Sequence, residues 1–354
     1  MGHYEERLER DLTRLRKQVL KLGDRVQKAL EAAVHSVLEV DKAQAAEVVL
    51  GDLEVNRLSR DLDRLCHIFV ARHLPSAGHL RFVSSAMRMS IALERIGDYA
   101  ATIGRTALQL SSPPPEPVAH DIDMMSEHAG RLLKRALKAF GERDVDQARA
   151  TMVMAGQITA TFDKVFADLG KEGERGERPI QDLFGLLATF NRLERVIHQA
   201  KNLCEETIFI ETGETKPHKT FDVLFLDERN DGASQLAEAY ARKGWPDLGR
   251  FESAGWNPAP TMREEYIRFG IEKGLDLSDA RPRPLETILD QIADYDIVVD
   301  LGSGAVERLG KLPFHTIPLT WGLPLDGDPE EAYKVITPRV RELMDKLGAE
   351  RDDD

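Results

Sequence analysis

The sequence predicts a multidomain protein: an all-α pair of three-helix bundles followed by a small α/β domain with a four-stranded parallel sheet. Three observations carry this. Residues 8, 12, 15, 19, 22, 26, 29, 33 and 37 are all Leu, Val or Ala, a stripe stepping by four and three that one face of a long helix produces. The hexamer "LERIGD" (Leu93 to Asp98) returns as "LERVIH" (Leu193 to His198) one hundred residues later, which means duplication of a three-helix unit rather than a short solenoid repeat. From Val223 onward, short apolar runs alternate with helical patterns, as in a parallel sheet with crossover helices.

The first helical stripe stops at Val40-Asp41. Asp41 followed by Gln44 reads as a capping box for a second helix, which carries Val48, Val49, Val55, Leu58, Leu62, Leu65 and Phe69. Pro75 and Gly78 break that pattern. A third helix runs through Val83, Met87, Ile91, Ile96, Ile103 and Leu110. "SSPPPEP", residues 111–117, is a linker, because consecutive prolines cannot continue a helix. The pattern then restarts with Leu132, Leu133, Leu137 and Phe140, and "VDQARATMVM" from Val145 echoes "VDKAQAAEVV" from Val40. Domain bounds of 1–112, 118–214 and 221–349 follow, with "ETKPHKT" after Gly213 as the second linker.

In the last domain "VLFLD" reads as a strand and "ASQLAEAYAR" as a helix. "GRFESAGW" reads as a strand and "TMREEYIRFGIEKG" as a helix. "PLETILDQIA" precedes the strand "YDIVVDLG", and "PFHTIPL" and "DPEEAYKVITPRVRELMDKLG" supply the last strand and helix. Strand, seven-residue loop and helix start over residues 223–239 make the shape that cradles phosphate, since helix N-termini offer free N–H groups and a positive dipole end. Yet the loop holds Asp227, Glu228 and Asp231.

Bulk properties narrow the function. A formal net charge of -13 argues against a nucleic-acid partner. No apolar run approaches the ~20 residues a bilayer span needs, and the charged start "MGHYEERLERDLTRL" has no signal-peptide pattern. Two cysteines, Cys66 and Cys204, fit a reducing cytoplasm, so a cytoplasmic location is expected.

Glu94 and Asp98 lie four apart, on one helix face, and Asp52 and Asn56 repeat that spacing on the preceding helix. Facing each other, such pairs offer oxygen ligands for a hard or borderline cation; alone, the spacing more often describes a solvated acidic face. Residues 1–214 resemble the PhoU family of bacterial phosphate-uptake regulators. The resemblance lies in "LTRLRKQVLKLGDRVQKALEAAV", "FVSSAMRMSIALERIGDYAATIG" and "RLERVIHQAKNLCEETIFIETGE". It implies two three-helix bundles whose acidic helix faces hold divalent or iron-type metal ions, of open identity. Asp52, Asn56, Glu94 and Asp98 match the first motif set. In the second, Glu194 matches but His198 replaces the Asp. The other counterparts are Gln157 and Thr161, or Gly156 and Ala160 in the alternative register. A His–Glu pair can still hold zinc or iron, whereas a lone helical His is more often packed or solvated.

Residues 221–349 resemble the low-molecular-weight tyrosine phosphatases and the thioredoxin-coupled arsenate reductases. The match lies in "VLFLDERNDGASQLAEAYAR", "FESAGWNPAP", "DYDIVVDLG" and "WGLPLDGDPEEAY". That family ends the strand at a nucleophilic Cys and holds phosphoryl oxygens with an Arg six positions later. Here those positions are Asp227 and Ala233, while Asn230, Ser234 and Gln235 match, and Asp328-Pro329 falls where the family keeps its general acid. No cysteine occurs in residues 215–354, so thiolate attack and cysteine redox cycling are excluded. Three carboxylates beside one Arg (Arg229) would repel a phosphate dianion by several kcal/mol at an effective dielectric near ~20.

The expectation is a non-enzymatic regulator of phosphate uptake and signalling with a phosphatase-like module for regulation or partner binding. The resemblance implies the phosphate ABC transporter ATPase and its sensor histidine kinase as partners. Membrane association would come only through them, and the module could instead form a homodimer. The alternative is a phosphatase that uses its carboxylate-rich loop in place of Cys and Arg.

Overall fold

A computed structural model describes residues 2–155, 161–176, 178–215, 220–302, 304–310, 312–313, 315–323 and 328–348. The chain divides into two compact units, Met1–Lys216 and Pro217–Asp354.

The first unit is helical throughout. Helices α1 (Gly2–Glu39), α2 (Lys42–His73) and α3 (Ala77–Gln109) form the first repeat. Helices α4 (Glu116–Glu142), α5 (Val145–Ala155), α6 (Thr161–Arg175) and α7 (Ile180–Thr212) form the second. The apolar stripe of α1 is buried at Leu8, Leu15, Val19, Leu22, Val26, Ala29, Ala33 and Val37. One continuous apolar core runs from these residues to Phe190, Leu193 and Leu203 of α7, so the two repeats share their interior. Asp41 caps α2 by accepting the Gln44 N–H at 3.0 Å. The reciprocal half of the expected capping box is missing, since Gln44 Oε1 is buried without a hydrogen bond. Gly78 does not break a helix; it lies in the first turn of α3, where unpaired N–H groups make few demands on the residue. The proline linker is pinned to α7, with Ser111 Oγ donating to Asp182 Oδ2 (2.5 Å) and Arg178 Nη1 to the Ser112 carbonyl (3.0 Å).

The second unit is an α/β layer structure. Strands β1 (Phe221–Asp227), β2 (Gly249–Gly255), β3 (Ile297–Asp300) and β4 (Ile317–Thr320) form one parallel sheet in the order β2-β1-β3-β4. This is the expected four-stranded sheet. Helices α8 (Ala233–Gly244), α9 (Glu264–Glu272), α10 (Ala305–Leu309) and α11 (Pro329–Lys346) connect and cover it. The stretch "PLETILDQIA", left unassigned by its pattern, forms two short 3₁₀ turns, Leu285–Thr287 and Leu289–Asp294. β1 is central, and its side chains alternate between two cores. Val223 and Phe225 pack with Leu236, Tyr266 and Ile336, whereas Leu224 and Leu226 pack with Ala254, Tyr295 and Val298. Burial on both faces is why this strand reads as an unbroken apolar run. The order reverses beside β1, so the end of β1 is the topological switch point at which open α/β sheets place their ligands.

Candidate functional site

β1 delivers Asp227 to the loop ahead of α8, at the C-terminal end of the strand as expected. The side chain is buried, with the residue 4% exposed. One carboxyl oxygen accepts the Asn230 N–H at 2.5 Å and the other accepts the Ser234 N–H at 2.9 Å. Burial pushes the Asp227 pKa above the ordinary carboxylate range, while hydrogen bonds from Ser234 and Asn230 oppose the rise. Two N–H groups of the loop thus converge on a carboxyl group, and the chain supplies that group itself.

The loop keeps its shape through Asn230, which sits at φ 48° in the left-handed region. Its Nδ2 donates to Ser234 Oγ (2.8 Å) and to Ser253 Oγ of β2 (2.9 Å). Its Oδ1 accepts from Gln235 Nε2 (3.0 Å) and the Arg283 N–H (2.7 Å). All four positions of a buried amide are filled. The loop carbonyls face outward. Those of Glu228, Arg229 and Asp231 accept the N–H groups of Asn257 (2.8 Å), Ala259 (2.9 Å) and Arg263 (3.0 Å).

Asp231 corrects the expectation of negative charge offset by a single arginine. Its buried carboxylate receives Arg229 Nε at 2.9 Å and lies 3.3 Å from Arg263 Nε, on a guanidinium that stacks 4.3 Å from the Tyr266 ring centre. Arg263 comes from the start of α9, distant in sequence, and nothing in the loop announces it. Ala233 opens α8 and is buried with no donor group to offer. Asp328 caps α11, taking the Glu330 N–H at 3.5 Å. A further buried carboxylate, Asp300 at the end of β3, has no motif to mark it in the sequence; it accepts the N–H groups of Gly302 (3.1 Å) and Ala305 (2.8 Å).

In the helical unit, Gly97 lets α3 approach α2 closely: a Cβ there would lie 2.7 Å from Val55 Cγ1. Asp52, Asn56, Glu94 and Asp98 lie on these two helices. Asn56 Nδ2 donates to Asp52 Oδ2 at 3.0 Å, while Asp52 Oδ1 is buried with no hydrogen-bond partner. Burial, then the charges of Asp98 and Asp52, raise the Glu94 pKa; burial and Asp52 raise that of Asp98. Such a set fits a hard cation in donor chemistry and charge. Among the described residues no three Asp, Glu, His or Cys side chains stand close enough to enclose an ion. In the second repeat Glu194 is half-buried and His198 exposed, and buried Ile197 stands where the first repeat has Gly97. Gly156, Gln157 and Ala160 lie outside the described residues, as does the side chain of Thr161.

The PhoU domain model matches residues 19–107 and 122–207. The phosphate-specific transport system accessory protein PhoU of Serratia marcescens is 27% identical over 222 residues, covering 63% of this chain and 91% of that protein. The crystal structure of PhoU from Pseudomonas aeruginosa aligns with a TM-score of 0.55 at 26% identity, over 58% of this chain and 99% of that one. A thioredoxin-dependent arsenate reductase from Corynebacterium glutamicum aligns over 39% of this chain and 66% of its own, at 29% identity and a TM-score of 0.34. The helical unit of this chain belongs to the PhoU family.

Proposed function

We propose that this protein is a PhoU-type regulator accessory to phosphate-specific transport, with a second unit that serves regulation or partner binding and performs no catalysis. The span of the PhoU match supports the first part, because it covers nearly the whole length of relatives named as transport-system accessory proteins. The phosphate transporter ATPase and the sensor histidine kinase are the proposed partners. No helix among the described residues is long and apolar enough to cross a membrane, so partners provide any membrane attachment.

The observation that carries the second part is the pair of bonds from Asn230 and Ser234 to the two oxygens of Asp227. An aspartyl nucleophile needs one oxygen free for in-line attack on phosphorus. Here both accept backbone N–H groups in a buried position. Ala233 supplies no guanidinium for the phosphoryl oxygens. The rival reading, a carboxylate-based phosphatase, draws on the intact Asn230 frame, and turnover of p-nitrophenyl phosphate with and without magnesium separates the two.

We further propose that Asp52, Asn56, Glu94 and Asp98 hold a metal ion when one is bound, supported by the orphaned Asp52 oxygen and the raised Glu94 and Asp98. Glu194 and His198 would hold one more weakly. The test of the regulatory role is a pull-down with the full chain from phosphate-limited and phosphate-replete cells. Recovery of transporter and kinase subunits, changing with phosphate supply, is the expected result; recovery of neither would end the proposal.

A further inference from the structure

We propose that the loop of the second unit is an oxyanion site filled from within, with the Asp227 carboxyl group as its permanent ligand, and that removing this group opens the site to small carboxylates. The inference rests on the non-catalytic reading above and goes beyond it, since a merely degraded loop would have no organised cradle left to fill.

The geometry points to a built site. Outward bonds from Asn257, Ala259 and Arg263 hold three loop carbonyls away from the centre. Asn230, in its left-handed conformation, turns its own N–H inward at Asp227. Ser234 adds an N–H from the first turn of α8, where the helix dipole favours negative charge. The two donors meet different oxygens of one carboxyl group, as they would meet a bound formate.

Space enforces the arrangement. A Cβ on Gly255 would lie 2.8 Å from the Glu228 carbonyl oxygen and 2.9 Å from the Asn230 nitrogen, so β2 presses directly on the loop backbone. A Cβ on Gly232 would lie 2.3 Å from Arg263 Nη2 and 3.0 Å from the Tyr266 ring. The close approach of β2 at Gly255 braces the loop backbone around the Asp227 carboxyl group. Asp231, paired with Arg229 and Arg263, is a second carboxylate of the same loop whose charge is met from within the fold.

The test uses the full chain and four proteins: wild type, Asp227→Asn, Asp227→Ala and Asp227→Gly. Thermal unfolding of the second unit is followed in sodium formate, phosphate or chloride at matched ionic strength. Asp227→Asn should lower its Tm by about 3–10 °C, because the amide turns an N–H₂ toward an N–H donor. Asp227→Ala and Asp227→Gly should fall further, and formate should restore part of the loss in these two alone. Equal formate effects on all four proteins, or an Asp227→Asn protein as stable as wild type, would overturn the proposal. If the truncated variants do not fold, wild-type NMR decides. The Asn230 and Ser234 amide protons should resonate downfield and stay fixed on adding phosphate, and movement with phosphate would show an open site. Turnover by wild type is measured separately: activity would sink the non-catalytic reading, whereas failed formate rescue without activity would sink only the self-filled site.

Discussion

Asn56 donates to one oxygen of Asp52 at 3.0 Å and leaves the other oxygen buried without a partner. An unsatisfied buried acceptor costs about 1–3 kcal/mol, and the Asp52 charge is among the causes that raise the Glu94 and Asp98 pKa values. A cation held there, as proposed above, would offset that cost. It gives the first prediction. Elemental analysis of metal-loaded protein should find that Asp52→Ala with Asp98→Ala lowers bound metal strongly, while Glu194→Ala with His198→Ala changes it little. Stronger loss from the second pair would contradict the assignment.

The same carboxylates set a pH dependence. Glu94 and Asp98 have pKa values raised above their ordinary 4.5 and 3.8 in the folded state. Their contribution to stability is therefore fully present below those ordinary values and is lost as pH rises through the raised ones. In a chelator, the helical unit should show a Tm that falls over this window. Glu94→Gln should flatten the fall, and a divalent cation should raise Tm most at the high-pH end. A Tm that rises through this window for these groups would refute the coupling.

Gly97 marks the close approach of α2 and α3. Gly97→Ala gains about 1 kcal/mol of helix propensity, but its Cβ would press to 2.7 Å from Val55 Cγ1. Overpacking typically costs about 1–3 kcal/mol, so a net loss of stability is expected. Val55→Ala should offset part of it in the double variant, and the cycle of four proteins by chemical denaturation measures this. Strict additivity would place the strain elsewhere.

Asn230 should be the costliest single residue of the loop. Asn230→Gly keeps the left-handed backbone accessible yet removes four side-chain hydrogen bonds. At about 0.5–1.5 kcal/mol each, a loss of about 2–6 kcal/mol from the second unit is expected in denaturant titration. Ala233→Arg, by contrast, should not create phosphatase activity, since Asp227 would still occupy the cradle. Turnover in Ala233→Arg alone would show that the carboxyl group is no obstacle.

The helices and strands were legible because burial imposes period on sequence: the α1 stripe and the run Val223 to Leu226 each report the faces they bury. Asp227 at a strand end was legible for the same reason. The contacts that decide the loop were not. Arg263 reaches Asp231 from the start of α9, more than thirty residues on, and a lone arginine before a helix carries no periodic signal. Asp300 ends an apolar strand much as Asp227 does, but no familiar motif surrounded it. Acidic loop residues suggested repulsion because partners distant in sequence were invisible, and the fold supplies those partners.

The role proposed above for this protein is the regulation of phosphate uptake. Its most direct test is radiolabelled phosphate uptake in a strain lacking the gene, followed through a shift from replete to limiting phosphate. The response to the shift should be altered, and the wild-type gene should restore it. An uptake response identical with and without the gene would contradict it.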